Sequence, residues 1–141
     1  MSEYKYIIIP FITLIISQII KTIVEMFKTK KFNIKRLLDG TAGMPSSHSA
    51  FITSATSLIG INFGITNPYF AVLLVFTIIV LYDARGLRYE TGKQAAMINK
   101  LIEKNNLKEN KLNEQLGHTT IEVFCGCLLG IVSALFFNMI I

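Results

Sequence analysis

The sequence predicts an all-α integral membrane bundle, with about four transmembrane helices and an amphipathic helix at the membrane surface. Apolar residues occupy 52% of its 141 positions and charged residues only 16%, whereas soluble domains carry about 25% charged residues. This composition excludes an ordinary soluble fold and an intrinsically disordered chain. The apolar residues also form blocks of bilayer length, and the basic residues are concentrated between those blocks.

Four apolar blocks define the predicted transmembrane spans, at residues 6–27, 49–65, 68–84 and 119–141. The first block, as a helix, is about 33 Å long, which is enough to cross a hydrocarbon layer of roughly 30 Å. The pair Asn67-Pro68 is typical of a helix start. It separates the second block from the third and predicts a tight helical hairpin. We expect a single membrane domain over residues 1–141.

The basic residues predict the orientation of the chain in the membrane. Most of its 14 Lys and Arg residues fall in two segments, 28–48 and 85–118. Because Lys and Arg near the ends of spans collect on the cytoplasmic side, both segments are predicted to be cytoplasmic. The expected location is the plasma membrane of a bacterium. The net charge of +5 favours anionic membrane lipids as partners, and no motif indicates nucleic acid.

An amphipathic helix is predicted between the third and fourth spans, at residues 90–105. Its apolar positions, among them Ala95, Ile98 and Leu101, recur at helical spacing between lysines, as in a helix lying at the membrane surface. The polar stretch 105–114 that follows is expected to be a flexible link.

The first candidate site segment, residues 43–50, leads into the second span. It contains Pro45, Ser46, Ser47 and His48. Serine side chains and free N–H groups at a helix start form an anion site, so Ser46 and Ser47 are candidate phosphate ligands. The alternative is that these serines only cap a membrane helix.

The second candidate segment opens the fourth span, where His118 and Glu122 are four residues apart. This spacing puts both side chains on one helix face, where a carboxylate can orient the imidazole and raise its basicity. The alternative is a pair that only satisfies two polar groups near the headgroups. Gly126 and Gly130 continue the stripe and predict close helix packing, and their face also suggests a homo-oligomer.

Further cations complete the predicted site. Arg85 and Arg88 at the end of the third span suit phosphate, although a positive-inside anchor explains them equally well. Lys21 lies inside the first span, where an ionisable group must be paired with a partner such as Glu25, reach the interface or be functional. The predicted topology puts Lys21, Arg88 and both histidines at the same membrane face.

These motifs resemble the divergent membrane branch related to type 2 phosphatidic acid phosphatases and vanadium-dependent haloperoxidases. The resemblance rests on residues 43–50, on 82–95 and on 116–123. Pro45-Ser46-Ser47-His48 follows the superfamily pattern Pro-Ser-Gly-His with one change. The superfamily's first motif is a Lys followed after six residues by Arg-Pro; Lys21 and Lys28 have this spacing, but Lys28 stands in place of the Arg and no Pro follows it. In the superfamily's third motif an Arg precedes the His by six residues, whereas Arg88 precedes His118 by thirty.

The resemblance implies a phosphatase that needs no metal or other cofactor and acts on a lipid phosphate or a prenyl pyrophosphate. By this resemblance, His118 attacks phosphorus, Glu122 orients the imidazole of His118, and His48 protonates the leaving oxygen. The implied phosphate ligands are Lys21, Lys28, Arg88, Ser46 and Ser47.

Two other functions stay open at this stage. The altered motifs are also compatible with a membrane protein that binds phosphate or lipid without hydrolysing it. The second is a metal site built from His48, Asp83, His118 and Glu122, although the sequence has no spaced metal motif.

Overall fold

The computed structural model describes residues 3–30, 43–114 and 116–141. Its helices are α1 (Lys5–Thr29), α2 (Ser47–Phe63), α3 (Pro68–Arg85), α4 (Leu87–Lys104) and α5 (Thr120–Ile140). The described part of the chain contains no strand, and the predicted all-α membrane bundle is confirmed.

Among the described residues, three helical stretches are long and apolar enough to cross a membrane: Lys5–Thr29, Pro68–Lys104 (α3 with α4) and Thr120–Ile140. Helix α2 has 17 residues and is rich in Ser and Thr, so its role as a fourth span stays a prediction. So do the cytoplasmic segments, of which residues 31–42 and 115 lie outside the described part of the chain.

Helix α2 is the centre of the bundle and packs against α1, α3 and α5. Helix α5 approaches it through glycines. A Cβ atom on Gly126 would lie 2.5 Å from the carbonyl oxygen of Ser46, and one on Gly130 would lie 2.6 Å from that of Ala50. The close packing predicted for this stripe is confirmed, because only glycine lets the two backbones approach so closely.

The same contacts correct one expectation. The Gly126 and Gly130 face is covered by α2 within the chain, so the suggestion of a dimer through this face is wrong. Whether the protein is a homo-oligomer stays a prediction.

The bundle carries its large apolar side chains outside and its hydroxyl groups inside. In α1 the buried side chains of Thr13, Ser17 and Lys21 follow one another at intervals of four residues. Several hydroxyls bond to their own helix; that of Thr13, for example, donates to the carbonyl oxygen of Ile9 at 2.9 Å. Because lipid tails are as apolar as leucine, a membrane helix gains nothing by turning its large apolar residues inward.

A polar contact joins three helices at the end of the bundle opposite the candidate site. Lys5 Nζ donates to the side-chain oxygens of Asn62, at 2.8 Å, and of Asn138, at 2.9 Å. This contact ties α1 to α2 and α5 where the helices come together.

Helix α4 starts directly after Gly86 and packs against no described helix other than α3. Its buried Asn99 binds the segment that follows the helix. The Asn99 amide nitrogen donates to the carbonyl oxygen of Leu112 at 2.9 Å, and its oxygen accepts from the N–H of Leu112 at 2.8 Å. The expected flexible link is therefore a segment that runs back along α4, and this return brings the chain to His118.

Candidate active site

The serines at the start of α2 have different environments. The Ser46 hydroxyl is the N-cap of α2: it accepts from the N–H of Ser49 at 3.4 Å and contacts the Ser49 hydroxyl at 2.9 Å. This geometry favours the capping interpretation for Ser46. The Ser47 hydroxyl is also buried but has no hydrogen-bond partner among the described residues, so it is the serine with unused bonding capacity.

His118 and Glu122 form the pair that their spacing predicts. The distance from His118 Nδ1 to Glu122 Oε2 is 3.2 Å, and His118 is only 4% exposed. With Nδ1–H held by a carboxylate, the lone pair of the imidazole is on Nε2. This is the arrangement required of a nucleophilic histidine.

The carboxylate of Glu122 is itself fixed by the start of α5. Glu122 Oε2 accepts from the N–H of Thr119 at 3.0 Å, and the Thr119 hydroxyl accepts from the N–H of Glu122 at 3.3 Å. These reciprocal bonds form a capping box. Our interpretation of the sequence missed it, although Thr119-x-x-Glu122 is its signature. The helix cap thus holds the acid that orients His118.

Backbone hydrogen bonds tie the three predicted motifs together. The N–H of Ser46 donates to the carbonyl oxygen of Glu122 at 3.0 Å, and the N–H of His118 donates to that of Ala84 at 2.9 Å. Gly117 has φ +77, and a Cβ atom there would lie 2.2 Å from the backbone nitrogen of Tyr89. The starts of α2, α4 and α5 and the end of α3 therefore meet at one end of the bundle.

Lys21 supplies a buried positive charge beside this pair. It is 3% exposed, and its alkyl chain lies against Gly43. Burial and the charge of Lys21 lower the pKa of His118, while Glu122 opposes this shift. The imidazole is therefore neutral near pH 7, as a nucleophile must be. Lys21, Lys28 and Glu122 line one cavity of about 410 Å³.

Arg88 and His48 share a different cavity. Arg88 Nε donates to Asp83 Oδ2 at 2.6 Å, and both side chains line a cavity of about 210 Å³ with His48. Burial, and after it the charges of Arg88 and Lys21, lower the pKa of His48, while Asp83 opposes this shift. Arg85 instead lines a third cavity, of about 480 Å³, together with His118.

The predicted site residues thus gather around one end of the bundle, where they line three cavities with different sets of residues. Among residues 3–30, 43–114 and 116–141, no three His, Cys, Asp or Glu side chains are arranged to hold a metal ion. The metal-site alternative therefore has no ligand set in that part of the chain. Asp83, a candidate ligand in that alternative, is instead the partner of Arg88.

Comparison with known proteins also indicates a membrane protein. The chain is 36% identical over 137 residues to YuiD of Bacillus subtilis (strain 168), described as an uncharacterized membrane protein, and the match covers 86% of each chain. No solved structure matches it. The divergent PAP2 family matches residues 2–133, and the chain therefore belongs to that family.

Proposed function

We propose that this protein is a membrane phosphatase that hydrolyses a lipid phosphate or a prenyl pyrophosphate through a phosphohistidine intermediate. The observation that carries the proposal is the pair formed by buried His118 and half-buried Glu122, held at 3.2 Å beside the cation of Lys21. Membership of the divergent PAP2 family supports a relation to phosphatases. In this proposal α2 is a fourth span, and the site faces the cytoplasm at the plasma membrane.

The first step is attack by His118 Nε2 on phosphorus. The N–P bond forms as the bond from phosphorus to the leaving oxygen breaks, and His48 donates a proton to that oxygen. The imidazole becomes positively charged, and Glu122 stabilises this charge through Nδ1–H. In the second step His48 takes a proton from water, which attacks phosphorus, breaks the N–P bond and releases phosphate.

Cations around the pair suit the phosphoryl oxygens, whose charge must be stabilised in the transition state. Lys21 and Lys28 approach from the cavity that Glu122 lines. Arg88 approaches from the cavity of His48 and keeps its terminal nitrogens for phosphate while Nε binds Asp83. Ser47 contributes its hydroxyl and the N–H groups at the start of α2, because Ser46 is used as a cap.

The test measures phosphate release by the purified protein in detergent micelles, with phosphatidic acid, farnesyl monophosphate and farnesyl pyrophosphate as substrates. We expect His118→Ala to reduce release at least about a thousandfold, as loss of a nucleophile does in other enzymes. His118→Asn is the folding control, because its amide can still donate to Glu122. It should keep the thermal stability of the wild type and be as inactive as His118→Ala.

Trapping the intermediate gives a second readout. Rapid denaturation without acid, after mixing with ³²P-labelled substrate, should leave label on His118. The N–P bond that holds this label is stable to base and labile to acid. His48→Ala should hold this label longer than the wild type, since it lacks the group that activates water. Equal phosphate release by the wild type and both His118 variants would refute the proposal.

The second candidate is a membrane protein that binds lipid phosphate without hydrolysing it. Two observations favour it: Arg88 is already paired with Asp83, and the Ser46 hydroxyl is already used within α2. It predicts that the wild type binds vesicles containing phosphatidic acid while releasing no phosphate and forming no label on His118.

A further inference from the structure

Helix α4 has one side that the chain covers. Its buried residues Gly92, Ala95 and Asn99 follow one another at intervals of three and four residues, so they share one face. A Cβ atom on Gly92 would lie 2.8 Å from the carbonyl oxygen of Glu114, and Asn99 binds Leu112. The return segment, residues 112–114 and 116–117, therefore covers this side of α4.

Another side of α4 is apolar and open. Met97 is 69% exposed and Leu101, four residues later, is 53% exposed; Leu87 and Ile98 are exposed as well. Among the described helices, α4 packs only against α3, so no helix of the chain covers these side chains. An exposed apolar face on a helix that directly follows a candidate membrane span suits contact with lipid.

A row of lysines borders this apolar side. Lys93, Lys100 and Lys104 are separated by seven and four residues, which places them along one line of the helix. Lys93 precedes Met97 by four residues, and Lys104 follows Leu101 by three. Lysine stems cover apolar surface while their ammonium groups reach toward polar surroundings. The apolar side and the lysine row together form one amphipathic surface.

The lysine row keeps positive charge that the protein does not neutralise. Lys93 donates to Glu90 at 2.8 Å, but Lys100 and Lys104 form no ion pair within the described part of the chain. The carboxylate of Glu103 is bound by Lys111. This charge is complementary to the headgroups of anionic lipids. A second copy of α4 on the same face would instead bring like charges together.

We propose that the open side of α4 binds anionic phospholipid, with Lys100 and Lys104 on the headgroups, and that this binding stabilises the return segment on the covered side. Both surfaces belong to one helix, which packs against no other described helix except α3. Lipid that holds α4 in place therefore also favours its contact with the return segment. Such coupling between two contacts is reciprocal.

The return segment leads directly to the candidate active site. Gly117, at its end, lies against the backbone of Tyr89 in α4, and His118 is the next residue. Tyr89 lines the cavities of about 410 and 480 Å³, the second of them together with His118. One consequence rests on the proposed function: an anionic lipid that is not a substrate raises phosphatase activity, because it holds the segment before His118 against α4.

The first test measures amide exchange and does not depend on turnover. The protein, one copy per lipid nanodisc, is compared in phosphatidylcholine with and without phosphatidylglycerol. We expect phosphatidylglycerol to slow exchange at residues 97–104 and at Leu112, whose N–H binds Asn99. Lys100→Gln should reduce this slowing about fivefold, the contribution of one lysine beside an anionic surface, and Lys108→Gln should leave it within about twofold.

Lys108→Gln is the matched control, because it removes the same charge from an exposed residue beyond the end of α4. Equal exchange in the two bilayers, or an equal loss in the two variants, would overturn the lipid site. Slower exchange in α4 with no change at Leu112 would overturn the coupling. Protection in pure phosphatidylcholine that appears only with two copies per disc would identify a second copy as the occupant and overturn the proposal.

The second test measures phosphate release from farnesyl monophosphate in the same nanodiscs. We expect phosphatidylglycerol to raise kcat/KM at least about fivefold in the wild type and in Lys108→Gln, and to raise it less in Lys100→Gln. Release that does not respond to phosphatidylglycerol would overturn the coupling to the site and leave the phosphatase intact. Slowed exchange without release in either bilayer would instead refute the phosphatase and support the lipid site on α4.

Discussion

Glu122 makes two contacts through one oxygen, and each contact can be removed separately. Glu122→Gln keeps an amide oxygen that can accept from the N–H of Thr119, as glutamine does in capping boxes, but it removes the negative charge beside His118. Thr119→Ala does the opposite, because it removes the cap hydroxyl and leaves the carboxylate beside the imidazole. The two variants therefore separate orientation of the nucleophile from stability of the helix.

The size of the first effect follows from the geometry. At 3.2 Å and an effective dielectric constant of about 20, two unit charges attract each other by about 5 kcal/mol. Because the imidazole carries only part of a charge in the transition state, roughly half of this acts on the barrier. This predicts a decrease in kcat of roughly a hundredfold for Glu122→Gln, since about 1.4 kcal/mol is a factor of ten.

The assay is phosphate release in micelles at saturating substrate, combined with thermal unfolding in the same detergent. We expect Thr119→Ala to reduce the free energy of unfolding by about 1 kcal/mol, as loss of an N-cap does, and to keep kcat within about threefold. We expect Glu122→Gln to keep its stability and lose its activity. If Glu122→Gln kept the kcat of the wild type while Thr119→Ala lowered kcat, the orienting role of Glu122 would be wrong.

Three further outcomes are expected. In the pH profile of kcat/KM, the acid limb should have its midpoint below pH 6.5. His118 must be neutral to attack, and burial and the charge of Lys21 lower the pKa of His118. A midpoint above pH 6.5 would contradict this. Gly126→Ala should lower the free energy of unfolding by about 1–3 kcal/mol through overpacking against α2, whereas the half-buried Cys127→Ala should change it less. Asn99→Ala should speed amide exchange at Leu112. Asn105→Ala, which removes a bond to the carbonyl oxygen of Leu101 in α4, should not; equal exchange in the two variants would argue against the docked segment.

Local sequence patterns predicted much of the fold. The apolar blocks predicted the positions of α1, α3 and α5 to within a few residues, because the apolar length of a helix is set by the bilayer. The spacing of His118 and Glu122 predicted their contact, because residues four apart in a helix share a face. The Thr119 signature would have predicted the capping box by the same local physics.

Contacts between distant residues required the tertiary structure. The sequence could suggest that Arg88 lies near the histidines, but not that it would bind Asp83 and line the cavity of His48. It could identify close packing at Gly126, but not that the partner is α2 of the same chain. It could not show that Asn99 holds the return segment, because a single buried amide leaves no periodic pattern.

The sequence by itself therefore determined which segments are helices, which of them suit a membrane, and which residues are candidates for phosphoryl chemistry. Only the tertiary structure decided which of those residues meet. The physical reason is that helix formation and membrane burial depend on neighbours a few residues away. The bonds from Ser46 to Glu122 and from His118 to Ala84 instead depend on how whole helices pack against one another.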